Sequence, residues 1–248
     1  MTTEFRATLR RSVDLFSAFR LEQTRPDVFY GALARDSAAQ VGSYLPLAGA
    51  RVLDVGGGPG YFADAFEAAG ATYVPLDADA GELALHGREP GPRTVLGDGT
   101  SLPFADGAFD VAYSSNVAEH VARPWAMADE MLRVTRPGGL LFLSYTLWYG
   151  PWGGHETSPW HYLGGERAAR RYAEENGHPP KNVYGESLFP ITASAGARWA
   201  RRQERSGALV DLELVPRYLP SWASPVARVP VLRELACWNF VVVGRRGR

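Results

Sequence analysis

Cysteine and lysine are nearly absent from this chain of 248 residues, which has one of each, Cys237 and Lys181. A single cysteine excludes an intrachain disulfide framework, and we expect Cys237 to be a buried thiol within a strand. No apolar run reaches the roughly 20 residues that cross a bilayer, and charged residues interrupt any signal-peptide core in residues 1–20. We therefore expect a cytoplasmic protein, with peripheral membrane contact left open.

The chain also lacks an excess of charge, because its formal net charge is −1. Nucleic-acid-binding domains commonly carry a basic patch, so this balance argues against a nucleic-acid partner. The Asn/Asp-Pro-Pro-Tyr type of motif used in base aminomethylation is missing as well. Hydrophobic content of 46% and charged content of 21% are ordinary for a globular protein.

The most informative stretch is RVLDVGGGPGYF at residues 51–62. It is typical of a strand that ends in a glycine-rich turn and leads into a helix, where nucleotide-like ligands bind. Gly56, Gly58 and Gly60 allow a tight turn and a close approach of ligand to backbone. The dinucleotide fingerprint Gly-x-Gly-x-x-Gly needs a glycine where Tyr61 stands, which argues against a nicotinamide cofactor.

Carboxylates accompany this turn. Asp54 precedes it, and Asp77 ends the second expected strand, 17 positions beyond Gly60. A carboxylate at the end of that strand can accept hydrogen bonds from both ribose hydroxyls. Asp79 is the competing candidate, but it also suits a helix N-cap. We favour Asp77 because it falls at the strand end.

Further motifs follow along the chain. GDGTSLPF occupies residues 97–104, SSN at 114–116 ends the fourth expected strand, and EMLRVTRPGG occupies 130–139. The last of these has a structural meaning. We expect a helix to end there, with Pro137 stopping it and the two glycines turning the chain into the fifth strand.

Together these motifs resemble those of the small-molecule type of class I S-adenosylmethionine (SAM) methyltransferases, over about residues 50–146. The resemblance implies SAM as the cofactor. It implies that Asp98 and Gly99 meet the adenine, and that Asn116 lies near the methionine end and the substrate. The other cofactor-binding residues are then Asp54, Gly56, Gly58, Gly60 and Asp77.

Strand and helix patterns alternate with short links, which favours a doubly wound sheet. With the resemblance, this predicts an α/β Rossmann-like fold: a seven-stranded sheet, mostly parallel with an antiparallel last strand, and helices on both faces. The whole chain, 1–248, is expected to be one domain with an N-terminal helical extension over 1–47 and a substrate-side insertion over 147–190. The expected strands are 51–55, 72–76, 93–97, 109–114, 140–145, 208–215 and 236–243, and the expected helices are 4–20, 27–44, 60–69, 79–86, 125–135, 166–175 and 191–205.

Histidines supply the candidates for catalysis. His120 follows the fourth strand, and His155, Glu156 and His161 lie in the insertion. A hydroxyl acceptor benefits from a general base, so we favour O-methylation, with His155 as the first choice and His120 as the second. Each has a structural alternative, packing at the cofactor's methionine end for His120 and pinning of the loop for His155. The spacing lacks the i, i+4 pair of a helical zinc site, so no metal is predicted.

The segment 216–235 bears on the acceptor. Its apolar and aromatic side chains accompany Arg217, Arg228 and Arg233, a combination that fits an interfacial element touching anionic lipid. Burial against the sheet or an oligomer interface is the explanation that we favour for the segment itself. Tyr145, at the end of the fifth strand, is expected to form a wall of the acceptor site or a hydroxyl partner for the acceptor.

The sequence thus predicts SAM-dependent methyl transfer to a small-molecule or lipid-linked (glycolipid) acceptor. One alternative is a SAM-binding module without catalysis, and another is a nicotinamide-dependent oxidoreductase. The oligomeric state stays open.

Overall fold

The computed structural model describes residues 5–22, 24–83 and 91–248. Seven strands in these ranges form one sheet: β1 (Arg51–Val55), β2 (Thr72–Asp77), β3 (Val95–Leu96), β4 (Phe109–Ser115), β5 (Thr135–Thr146), β6 (Leu209–Pro216) and β7 (Asn239–Arg246). The order across the sheet is β3-β2-β1-β4-β5-β7-β6. Strands β1 to β5 pair in parallel, and β7 runs antiparallel to β5 and β6. The predicted sheet is confirmed.

Helices cover both faces of this sheet. They are α1 (Leu9–Phe19), α2 (Pro26–Tyr44), α3 (Ala63–Ala68), α4 (Ala80–Leu83), α5 (Pro124–Val134), α6 (Gly165–Asn176), α7 (Ala193–Arg205) and α8 (Pro230–Ala236). Side chains alternate across each strand, so Leu53 of β1 packs with α5 and α7, while Val52 packs with α2 and α3. The predicted helix 79–86 is described only to Leu83, and its remaining residues lie outside the described ranges.

The two helices of the N-terminal extension have different neighbours. Helix α2 buries Phe29 and Leu33 in the core beneath the sheet. Helix α1 is held to α2 by an ion pair of 2.5 Å between Arg11 and Asp36. It also contacts the insertion, because the rings of Phe16 and Trp152 lie 6.5 Å apart. The extension therefore bridges the sheet and the insertion.

The insertion is more regular than the expected loop. It contains short 3-10 turns at His155–Thr157 and Trp160–Leu163 before α6. Backbone hydrogen bonds attach both of its ends to the body of the protein. The N–H of Trp148 donates to the carbonyl of Ile191 at 2.9 Å, and the N–H of Phe189 donates to the carbonyl of Glu119 at 2.8 Å. The second bond places the insertion against the loop that follows β4.

Two local predictions were wrong. Pro137 does not stop a helix, because α5 already ends at Val134 and Thr135 takes an extended backbone that begins β5. The hydroxyl of Thr135 donates to the carbonyl of Met131 at 2.7 Å, so a side chain satisfies one of the last helical carbonyls. Cys237 is buried, but it lies between α8 and β7 rather than within a strand.

Candidate functional site

The glycine turn after β1 is shaped by backbone conformation and by packing. Gly56, Gly58 and Gly60 have φ angles of +81°, +48° and +74°, in the region that disfavours side chains. A Cβ atom on Gly56 would overlap the side chain of Val117, whereas nothing lies within 4 Å of one on Gly58 or Gly60. Gly56 is thus required by packing, and the other two border open space.

Asp77 lies at this turn, as the sequence predicted for the end of β2. Its Oδ2 accepts from the N–H of Gly58 at 3.1 Å, and its Oδ1 accepts from the N–H of Asp79 at 3.1 Å. The side chain of Asp79 accepts instead from the N–H of Gly81 at 2.7 Å, at the start of α4. This arrangement is the capping role considered for Asp79, and it leaves Asp77 as the better candidate for the ribose.

Asp54 is buried, with 2% of its surface exposed. The hydroxyl of Tyr73 donates to its carboxylate. Burial raises the pKa of Asp54 to about 7; the hydrogen bond from Tyr73 opposes this rise and the nearby charge of Asp77 adds to it. A carboxyl group that is half-ionised near neutral pH therefore lies next to the turn.

Asp98 and Gly99 follow β3. The carboxylate of Asp98 accepts from the N–H and the hydroxyl of Thr100, at 2.7 and 2.8 Å, and these bonds lower its pKa below the usual range. A Cβ atom on Gly99 would lie 2.9 Å from Val55 and 3.2 Å from Met127. The turn that contains Gly99 is therefore packed against the carboxyl end of β1, beside the glycine turn.

Asn116 ends β4 with a φ of +57°, which is unusual for a residue other than glycine. Its Oδ1 accepts from the amide of Asn239 at 2.7 Å and from the hydroxyl of Thr146 at 3.4 Å. These bonds join the ends of β4, β5 and β7. Asn116 thus lies at the strand edge where the parallel sheet presents its ligand-binding loops.

The sheet and the insertion bring His120 and His155 together. Their ring centroids are 4.9 Å apart. The Nδ1 of His120 is 2.7 Å from the carbonyl of Ser187, and a carbonyl only accepts, so Nδ1 carries the hydrogen and Nε2 keeps a lone pair in the neutral ring. Burial lowers the pKa of His155 to about 4, and His120 contributes to the lowering.

Glu119 is the third member of this group, next to His120 in the sequence. It is 1% exposed, its Oε1 accepts from the N–H of Thr146 at 3.0 Å, and its Oε2 has no hydrogen-bond partner among the described residues. One ligand atom each from Glu119, His120 and His155 lie within 4.8 Å of one another. We call these three residues the histidine–glutamate cluster.

The three polar residues of the insertion do not form the site that their spacing had raised as an option. The carboxylate of Glu156 accepts from the amide of Asn182 at 2.8 Å. The ring of His161 is buried and packs 5.3 Å from that of Trp148. Only His155 of the three joins the cluster described above.

The structure contradicts one expectation for the acceptor side and decides between two explanations for the arginines. Tyr145 forms no open wall, because it is fully buried and its hydroxyl donates to the carbonyl of Thr192 at 3.3 Å. Arg217 is 1% exposed, and Arg233 is also buried, so neither flanks a lipid-facing surface. The guanidinium of Arg217 donates to serine hydroxyls on α2, β4 and β5. Burial, one of the explanations that the sequence offered for this segment, therefore holds for Arg217 and Arg233. The individual partners of Arg217 lie far from it in sequence and could not be predicted.

The residues at this edge fit SAM. The turn leaves open space at Gly58 and Gly60, where backbone can approach a ligand. Asp77 presents carboxylate oxygens beside it, suited to ribose hydroxyls. Asp98 follows β3 and Asn116 follows β4, at the same edge of the sheet.

Comparison with known proteins finds similarity to methyltransferases. Residues 53–143 match the model of a methyltransferase domain family. An uncharacterized methyltransferase of Mycolicibacterium gilvum (strain PYR-GCK) is 54% identical over 253 residues, which cover 97% of this chain and 96% of that protein. One from Mycobacterium marinum is 53% identical over 247 residues, covering 96% and 95%. An S-adenosylmethionine dependent methyltransferase structure from Mesorhizobium loti has a TM-score of 0.54 at 22% identity, covering 86% of this chain and 98% of its own.

Proposed function

The chain belongs to the SAM-dependent methyltransferases, and from that membership we propose that it methylates a hydroxyl oxygen of a small or lipid-linked acceptor. The enzyme class and the cosubstrate agree with the sequence prediction. The oxidoreductase alternative is wrong. The acceptor and the methylated atom are the proposal, and the histidine–glutamate cluster is the observation that carries it.

The cosubstrate end of the site follows from the residues at the strand ends. We assign the ribose to Asp77, the adenine to Asp98 and Gly99, and the methionine end to Asn116. Gly58 and Gly60 line the open space where the ligand meets the backbone. When bound, SAM supplies a methyl carbon on a sulfonium, so the chain has to orient the acceptor, exclude water and remove a proton.

The histidine–glutamate cluster is where the acceptor would lose its proton. It follows β4 directly, and His120 stands four residues beyond Asn116. An amine needs no base once it is neutral, whereas a hydroxyl gains from a proton acceptor within hydrogen-bond reach. With no ion in the cluster, His120 is a better base than His155, because Ser187 fixes its tautomer and leaves Nε2 free. The low pKa of His155 makes that ring a weaker base.

Labelled turnover tests the proposal. The purified protein is incubated with methyl-labelled SAM and a cell extract, and the labelled product is analysed by NMR for the atom that carries the methyl group. We expect an oxygen. His120→Ala should lower kcat by about 100-fold or more, in the range of a lost general base, with unchanged SAM affinity. His178→Ala removes an exposed histidine elsewhere and serves as the matched control. Label on nitrogen or carbon contradicts O-methylation.

A surface feature favours a lipid-linked acceptor. Trp222 and Val231 are 74% and 71% exposed, and Leu235 is also exposed. The N–H of Ser221 donates to the carbonyl of Ala7 at 2.7 Å, which brings the start of α1 next to the segment 216–235. We call the exposed side chains of both segments the apolar patch: Leu9, Val13, Trp222, Val229, Val231, Leu232 and Leu235.

We propose that the apolar patch lies on an anionic membrane surface. The exposed Arg228 adjoins it, and the exposed Arg10 lies on α1 between Leu9 and Val13. No helix in the described ranges is long and apolar enough to span a bilayer, so contact would be peripheral. On this proposal the enzyme works in the cytoplasm and takes its acceptor from the membrane surface. Label that enters only the aqueous phase of the extract would contradict a lipid-linked acceptor.

A further inference from the structure

The chemistry of the histidine–glutamate cluster extends beyond proton transfer. We propose that Glu119, His120 and His155 bind a divalent first-row metal ion of the Zn²⁺ type. Binding of the ion is independent of the acceptor, whereas its catalytic role rests on the proposed function. The spacing of residues in the sequence had predicted no metal site, because Glu119 and His155 are 36 positions apart (155 − 119) and only the fold joins them.

The first argument for a metal ion comes from two buried polar atoms of the cluster. The Oε2 of Glu119 and the Nε2 of His155 are both buried, and neither has a hydrogen-bond partner among the described residues. Burying a polar atom without a partner costs free energy, most of all for a charged carboxylate. A carboxylate oxygen offers only lone pairs, and the Nε2 of a neutral imidazole does the same when the hydrogen is on Nδ1. In that tautomer a cation satisfies both atoms at once.

The second argument is how the ligands are oriented. Metal-binding histidines usually donate their other ring N–H to a carbonyl or a carboxylate, which fixes the tautomer. His120 does this with the carbonyl of Ser187, and Nε2 is the nitrogen left for an ion. Glu119 is held in the same manner, since the N–H of Thr146 occupies Oε1 and leaves Oε2. Both ligands are therefore positioned by bonds that an ion would not have to break.

The distances suit a small ion. Zn²⁺ binds nitrogen and oxygen at about 2.0–2.2 Å, which sets tetrahedral ligand atoms roughly 3.4 Å apart. The ligand atoms of the cluster lie within 4.8 Å of one another, a separation that side-chain rotation can close. Two imidazoles and one carboxylate favour Zn²⁺, Fe²⁺ or Co²⁺ over Mg²⁺ and Ca²⁺, which prefer oxygen ligands. Three protein ligands leave coordination positions open, as in catalytic sites.

An open position gives the ion a role in the reaction. A hydroxyl that reaches the ion loses its proton more easily than one in water, because the cation stabilises the negative oxygen. With an ion bound, His120 would hold it through Nε2 and would not take the proton, which would pass to solvent at an open coordination position. A metal site needs a bound ion, whereas His120 acting as a general base does not. An experiment can therefore distinguish the two.

Metal binding can be measured without any acceptor. The purified protein is stripped with a chelator and titrated with Co²⁺, with visible absorption and equilibrium dialysis as the two readouts. We expect one ion per chain, displaced by Zn²⁺. Glu119→Gln and His155→Ala should each weaken binding by about tenfold or more, as the loss of one ligand predicts. His178→Ala should match the wild type. SAM affinity and thermal unfolding verify that each variant is folded.

The outcomes are distinct. No stoichiometric Co²⁺, or an affinity that the folded Glu119→Gln and His155→Ala variants leave unchanged, overturns the metal site. Full O-methylation by chelator-treated enzyme, combined with loss of activity in His120→Ala, overturns the catalytic role of the ion and leaves general-base catalysis. Cluster-dependent Co²⁺ binding together with a methyl group on nitrogen supports the site and overturns the proposed function instead.

Discussion

The backbone N–H of Gly58 donates to the carboxylate of Asp77 across 3.1 Å, and this bond joins the glycine turn after β1 to the end of β2. The other oxygen of Asp77 accepts from the N–H of Asp79. One carboxylate therefore stabilises the shape of the turn and still offers lone pairs to a ligand beside it. The proposed cosubstrate site depends on this pair of strand ends being adjacent.

Replacing Asp77 tests that dependence. We expect Asp77→Ala to weaken SAM binding by about tenfold to a hundredfold, since hydrogen bonds to a charged group contribute about 1.5–3 kcal/mol each. Isothermal titration calorimetry measures the affinity. Asp79→Ala is the matched control, because its carboxylate accepts from Gly81 and should affect stability more than binding. The reverse ranking of the two variants would move the ribose role to Asp79.

The open space at the glycine turn predicts that a substitution there lowers SAM affinity in addition to its effect on stability. Gly58 and Gly49 both have positive φ angles, +48° and +77°, and at neither position would a Cβ atom have another atom within 4 Å. Replacing either with alanine should cost roughly 1–2 kcal/mol of stability, because the left-handed region disfavours Cβ. Only Gly58→Ala should also lower SAM affinity, since its methyl group would enter the open space where SAM is proposed to meet the glycine turn. Equal SAM affinity in the two variants would show that SAM does not bind against Gly58.

The buried Asp54 predicts an unusual pH dependence. Its pKa is about 7 in the folded chain against 3.8 ordinarily, so between about pH 4 and pH 7 the folded state holds a proton that the unfolded state has lost. The free energy of unfolding should therefore fall as pH rises through this window, by on the order of 4 kcal/mol at most, and level off above it. Urea unfolding at several pH values measures the slope.

Asp54→Asn is the control for that slope, because an amide does not titrate. The difference in stability between wild type and variant should change between about pH 4 and pH 7 and stay constant above, so other titrating carboxylates cancel. Parallel curves for the two proteins would contradict the raised pKa.

The apolar patch predicts binding to anionic vesicles. Trp222→Ser should reduce flotation with anionic liposomes, because it removes the most exposed aromatic ring of the patch. Trp160→Ser, at an exposed tryptophan of the insertion, is the matched control and should float like the wild type. No flotation of the wild type, combined with a Trp222-dependent dimer in sedimentation, would instead make the patch an interface between copies of the chain.

Much of the cosubstrate site could be predicted because its parts are local. RVLDVGGGPGYF contains both the strand and the turn, and Asp77 ends the next strand, so their positions in the fold could be predicted from the sequence. Parallel β-α units put such strand ends at one edge of a sheet, which made their meeting predictable as well. The error at Pro137 arose because a proline can either end a helix or stand in the strand that follows one. In the structure β5 already begins at Thr135, so Pro137 lies within the strand.

The sequence by itself predicted the order of strands and helices and the glycine turn, because periodicity and turn chemistry act over a few neighbouring positions. The methyl donor and the seven-stranded sheet followed from the resemblance of its motifs to those of SAM methyltransferases. Only the tertiary structure decided the acceptor side. It buried Arg217 among serine hydroxyls of three elements and joined Glu119 to His155 across the insertion. Such contacts depend on which distant segments pack together, and packing is a property of the whole chain rather than of any motif.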